Sequence, residues 1–255
     1  MLTIDDLQPD DLRETAALHK AYLKLGLFPR LGRRFLRQYH ETFAKSPYGI
    51  ALVAHSDDGV VGALFGTSSN ADHYGWVVRN CGLELAVAGS GALLFRPQLA
   101  WTFASTRITR YARGLRRYMA PTPSGTGSEA GESAPPLSVL SHIVTGAGTR
   151  RQGIGRQLVE RFRDLARSEG ARDAMLVTEE GGEGAPFFER IGCTCVSHRA
   201  AQDGRTVQEF RLPLIEQDAY EDIGSRRRRV RFDRPYRAGH GAGARLAGGS
   251  VSRPH

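Results

Sequence analysis

Residues 137–145 (LSVLSHIVT) form a mostly apolar run rich in Val, Leu and Ile, which predicts a buried strand. The period then changes. Leu158, Phe162, Leu165 and Ala166 recur at helical spacing with Arg and Glu between them, and Gly170 stands where a helix C-cap is expected. Residues 174–178 (AMLVT) read as a short buried strand, and residues 185–191 as a short helix closed by Gly192. Residues 193–198 and 206–214 alternate as two strands about a turn at Asp203-Gly204. In the N-terminal part, Asp10 or Asp11 is placed to cap a helix running through Leu25. Leu31, Phe35, Tyr39 and Phe43 share one face of a second helix, and residues 50–55 and 60–66 form a hairpin around Asp58-Gly59.

Between these two blocks the pattern breaks. Residues 74–95 are largely apolar, and Pro97 restarts a helical pattern in which Arg107, Arg110, Arg113 and Arg116 lie three apart. A Pro/Gly/Ser stretch, residues 120–136, leads back to the strand. Residues 71–136 are therefore expected to be a helical insertion with a flexible linker. Its plain reading is a helical pair covering the domain with its charged face in water. A substrate-recognition lid, or a basic element on an anionic membrane surface, is the sharper alternative.

The junction of strand and helix carries the most chemistry. Residues 149–157 read TRRQGIGRQ, a basic, glycine-broken turn at the mouth of a helix. The first N–H groups of a helix have no internal partner and its dipole is positive there, so the turn favours an anion such as phosphate. Glycine at 153 and 155 lets a bulky ligand approach the backbone. Residues 148–153 copy the first half of a nucleotide-triphosphate loop, yet Ile154 and Gly155 stand where that loop needs Lys and Ser or Thr. A dinucleotide fingerprint needs a third glycine where Leu158 stands. What remains is Arg-x-x-Gly-x-Gly, Arg150 to Gly155.

That pattern, between strand and helix, resembles the coenzyme A pyrophosphate loop of the GNAT acyl-CoA N-acyltransferases, and the run APFFERIG (residues 185–192) resembles the family's helix whose aromatic pair precedes a glycine. The resemblance covers roughly residues 1–70 and 137–215. It implies an α/β fold, a GNAT-type mixed central sheet flanked by helices, in a domain spanning residues 1–220 with the insertion inside it. It implies acetyl-CoA as acyl donor, no metal, and an amine as acceptor. Carried over residue by residue, Arg150, Arg151, Gln152, Gly153, Ile154, Gly155 and Arg156 would hold the pyrophosphate. Ile143, Val144 and Thr145 would supply backbone groups beside the thioester. Some members place a Glu or His base on that strand, at positions matching Val139 and Ser141 here, and neither residue is a ready base. Ser141 and the adjacent His142 are the catalytic candidates, although strand alternation aims His142 at the opposite face unless a bulge intervenes. Many members also carry a tyrosine where Phe188 stands, and phenylalanine has no proton for a leaving thiolate. Similar insertions in bacterial members linked to glycan assembly point to an amino sugar among the small-molecule acceptors.

Composition narrows the classes. The chain has 255 residues, 40% of them hydrophobic, and no apolar run long enough to span a bilayer. The start, MLTIDDLQPDD, lacks the character of a signal peptide, and three cysteines give no disulfide framework, so a cytoplasmic setting is expected. Cys193 and Cys195 read as two residues on one strand face rather than a zinc site. The net charge of +8 suggests nucleic acid, but residues 221–255 hold nine arginines against three acids and so carry six of those charges. That segment is expected to be a solvated, disordered tail, which argues against a nucleic-acid function. Two readings stand: an N-acyltransferase working by direct attack in a ternary complex, and a non-catalytic acyl-CoA-binding module acting through its insertion and tail. The oligomeric state is not encoded legibly.

Overall fold

The computed structural model describes residues 1–23, 26, 28–94, 136–200 and 204–215. Its elements follow in the order β1 (Thr3–Asp6), α1 (Leu12–Tyr22), α2 (Arg33–Lys45), β2 (Gly49–Ser56), β3 (Gly59–Thr67), α3 (Asn70–Leu94), β4 (Ser138–Thr145), α4 (Ile154–Ser168), β5 (Asp173–Glu179), α5 (Gly184–Arg190), β6 (Thr194–Ala200) and β7 (Thr206–Pro213). The strands make one seven-stranded sheet in the order β1-β2-β3-β4-β5-β7-β6. All neighbours are antiparallel except β4 and β5. This is the mixed sheet flanked by helices that the sequence led us to expect.

Alternation along the strands sorts two cores. Ile50, Leu52, Ala54, Leu64 and Leu140 face α4, whose Ile154, Leu158, Phe162 and Ala166 repeat at helical spacing. Ala51, Val53, Ala63, Phe65 and Val144 face the other way, against Leu12 and Phe43 of α1 and α2. Helix α4 sits close to the sheet because β3 presents glycine there. A Cβ at Gly66 would lie 2.5 Å from the Phe162 ring and 2.8 Å from the Val139 carbonyl.

Several boundaries differ from the sequence reading. Strand β1 was hidden in a short acidic stretch, yet its four residues pair with Leu52–His55. Helix α1 ends at Tyr22, short of Leu25, which lies outside the described residues. Asp11 precedes α1 but makes no capping bond to it. Its carboxylate instead accepts from the Gln8 N–H at 2.8 Å and sits 2.8 Å from His55 Nε2, which raises the histidine pKa. The insertion opens with α3, a 25-residue helix that packs Leu85 and Ala88 against Phe35 and exposes Leu83 and Val87. The arginine series from Arg107 to Arg116, the linker as far as residue 135 and the segment 221–255 lie outside the described residues. Among those described, no helix is long and apolar enough to cross a membrane.

Candidate functional site

Strand β4 is the spine of the site, and a bulge sets its faces. Phe65 pairs with His142 and Gly66 with Leu140, so Ser141 is the extra residue opposite the bond between them. Leu140 faces α4, whereas His142 meets rings from α1 and α2, and Val144 also lies on that side. The exception allowed for in the sequence reading is therefore the case. The bulge moves His142 onto the face it would otherwise avoid.

There His142 joins a buried polar cluster. The Tyr39 hydroxyl lies 3.1 Å from His142 Nε2. The His19 ring packs 4.7 Å from His142 between centroids, and His19 Nδ1 is 2.9 Å from His40 Nε2. His40 Nδ1 is 3.2 Å from the Thr15 hydroxyl, which donates its one proton to the Leu12 carbonyl at 3.4 Å. With the Thr15 proton on Leu12, His40 donates through Nδ1 to Thr15, and its Nε2 then accepts from His19 Nδ1–H. Burial lowers the pKa of His19 to about 4 and of His142 to about 3, and holds His40 well below the ordinary imidazole value, with repulsion from its histidine neighbours adding to the effect. All three rings are neutral at physiological pH. Sequence reasoning took the Tyr39 face of α2 as plain core and passed over His19 and His40. The available signal was Thr15 and His19 four apart on one helix, facing a His40 inside an apolar stripe.

Beyond the bulge β4 loses its neighbour. Strands β4 and β5 pair only at Ser138–Ala174 and Val139–Met175, although β4 continues to Thr145 and β5 to Glu179. Ile143, Val144 and Thr145 thus lie on a stretch of β4 bonded to β3 on one side only. The basic turn stands at the end of that stretch. Gly146 donates to the Val61 carbonyl at 2.8 Å, Ala147–Thr149 make a single 3-10 turn, and α4 begins at Ile154. Arg151 adopts φ +62° and Gly153, the N-cap, φ +82°. Two residues of the turn, two apart, are thus left-handed at the mouth of α4. No side chain caps α4, so the positive end of the helix is open.

The individual residues of the turn differ in availability. Arg150 reaches Glu183 at 2.6 Å and lies over the Tyr22 ring, whereas Arg156 pairs with Glu160 along its own helix. Arg151 is exposed, and Gln152 bends back to the Gly148 carbonyl at 3.4 Å. Gly153 is needed for its backbone angle, since an added Cβ would meet only the Gln157 amide at 3.9 Å. At Gly155 the neighbour is the chain itself. A Cβ there would lie 3.2 Å from the Phe187 ring, with Ile143 nearby. So Phe187, not a ligand, accounts for the second glycine. Phe188 is buried with its ring 6.0 Å from that of Phe210.

The geometry has counterparts among known proteins. Residues 107–193 match the family model described as Acetyltransferase (GNAT) family. No curated protein matches the chain by sequence. The structure of an aminoglycoside 6'-N-acetyltransferase complexed with coenzyme A superposes with a TM-score of 0.51 at 12% identity, covering 84% of this chain and 98% of that one. A GNAT-family protein from Desulfovibrio desulfuricans gives 0.50 at 14% identity, covering 84% and 100%. The match to the GNAT family model thus runs across β4, the basic turn, α4, β5 and α5, and the sheet has the fold of these two structures.

Proposed function

We propose that the protein is an acyl-CoA-dependent N-acyltransferase that moves an acetyl group to a primary amine. The observation that carries this reading is the unpaired stretch of β4 and β5 opening directly onto the uncapped, arginine-bearing start of α4. A donor with a pyrophosphate at one end and a thioester at the other suits that run. Backbone N–H groups of the first turn of α4 and the Arg151 guanidinium would bind the phosphates, and the free side of β4 around residues 143–145 would hold the acyl arm.

The chemistry then needs an amine with a lone pair. Its nitrogen attacks the thioester carbonyl, the C–S bond breaks as the oxyanion collapses, and one amine proton must leave. His142 is the group on β4 best suited to take it, because the bulge brings it to the α1/α2 face and burial keeps it neutral. A weak base suffices once the N–C bond has formed, since the nitrogen is then far more acidic than the free ammonium. Phe188 offers no proton to the leaving thiolate, so that proton comes from water or from the amine itself. An amino sugar heads the panel of acceptors, given the shared fold with an aminoglycoside-modifying enzyme. The test is thiol release from acetyl-CoA against a panel of amines, alongside calorimetric binding of acetyl-CoA. Binding with no turnover on any amine would favour a non-catalytic acyl-CoA-binding module instead.

A further inference from the structure

A second reactive constellation is built on β6, the outer strand of the sheet. Cys195 Sγ lies 3.5 Å from His198 Nε2, and His198 Nδ1 lies 3.0 Å from Glu180 Oε1. Regular alternation would put residues three apart on opposite faces of β6. Here Cys195 pairs with Phe210 and Ser197 with Glu209, so Val196 is an extra residue that brings Cys195 and His198 onto one side. Glu180 arrives from the end of β5, anchored by its N–H donating to the Thr206 carbonyl at 3.0 Å. A carboxylate only accepts, so His198 must carry its proton on Nδ1, which leaves the Nε2 lone pair facing the thiol. Nucleophile, base and orienting carboxylate are thus in sequence. Cys193, two residues earlier, is buried in the core, and burial pushes its thiol up to about 11. Cys81 is buried as well, whereas Cys195 is partly exposed and His198 lies at the surface.

We propose that Cys195, with His198 as its base and Glu180 as the orienting group, is a thiol–disulfide exchange site for small disulfides. The Cys195 S–H gives its proton to His198 Nε2, and the thiolate attacks one sulfur of the incoming disulfide. A new S–S bond forms and the old one breaks. The departing thiolate takes the proton from His198, so Cys195 is oxidised to a mixed disulfide and half of the reagent is reduced to a thiol. Attack at a carbonyl fits less well. It would build an oxyanion beside the sulfur, and the backbone group there is the Ser197 carbonyl, 3.8 Å away, an acceptor rather than a donor. Displacement at sulfur needs no such donor.

The experiment treats the intact protein with glutathione disulfide at pH 7 and maps the adduct by peptide mass, then follows iodoacetamide alkylation of each cysteine between pH 5 and 10. The expected result is a mixed disulfide at Cys195 ahead of Cys81 and Cys193, with Cys195 the fastest of the three to be alkylated at pH 7. His198→Gln should lower the Cys195 rate at pH 7 by about tenfold. Glu180→Gln should lower it less. Both side chains are at the surface, and unchanged circular dichroism would show that the variants fold. No mixed disulfide at Cys195, or a pH profile identical in the native protein and His198→Gln, would overturn the proposal.

Discussion

Tyr39 of α2 and His142 of β4 are joined at 3.1 Å across 103 residues of sequence. The pair ties the helical layer to the bulged strand at the point where the acyl acceptor is proposed to bind. If His142 takes the amine proton, His142→Gln should lower kcat by about 10²-fold or more while acetyl-CoA affinity is kept. Tyr39→Phe removes only the hydroxyl and should cost less than tenfold. Equal turnover in the native protein and His142→Gln would move the base elsewhere.

The buried histidines make stability depend on pH. His19 is held at about 4 in the folded chain and titrates near 6.5 when unfolded. The unfolded state then binds more protons between those values, so folding stability is intact above pH 6.5 and falls as pH drops toward 4. At pH 5.5 His19 alone accounts for a loss of about 1.4 kcal/mol. His40, His73 and His142 act in the same direction, and His55, raised by Asp11, opposes them. Denaturant melts between pH 7.5 and 5 should show a marked decline, smaller in His19→Gln.

The arginines of the basic turn should separate by availability. Arg151→Ala is expected to weaken acetyl-CoA binding by about 1.5–3 kcal/mol, the range for a charge-assisted contact. Arg150→Ala should cost less, because Arg150 is already held by Glu183. Calorimetry decides the order, and Glu183→Gln should bring Arg150 closer to Arg151 in weight.

Packing under β3 gives a test of the fold. Gly66→Ala sets a methyl 2.5 Å from the Phe162 ring, inside the core beneath α4. Overpacking of this kind costs about 1–3 kcal/mol, and a chemical melt should show it without any change in which ligands bind. Phe188→Tyr places a hydroxyl in the buried contact with Phe210. It should lower stability by about 1–3 kcal/mol where that hydroxyl finds no partner.

Long periodic segments were legible before any coordinates. The α4 stripe, the β4 run and the Asp58-Gly59 turn signal all rest on local rules, and the helix and strands fall within a residue or two of the expected bounds. The turn at Arg150–Gly155 was readable in place, between a strand and a helix, although Phe187 rather than a ligand accounts for Gly155. The histidine cluster was not. Its members come from α1, α2 and β4, and only the sheet register brings them together. The two bulges were hidden for a related reason. Ser141 and Val196 look like ordinary strand residues, and a single unpaired residue leaves no compositional trace while reversing the face of everything beyond it.

The brief junction between β4 and β5 has a further consequence. Two residue pairs stitch β1–β4 to β5–β7, so the sheet is two panels with a short seam. Amides along the open edges of β4 and β5 should exchange with solvent early. If the proposed acyl donor lies in the opening, its arm would act as a missing strand, donating and accepting where the panels do not. Its concentration would then set how firmly the panels hold together, and the melting temperature would become a gauge of donor supply.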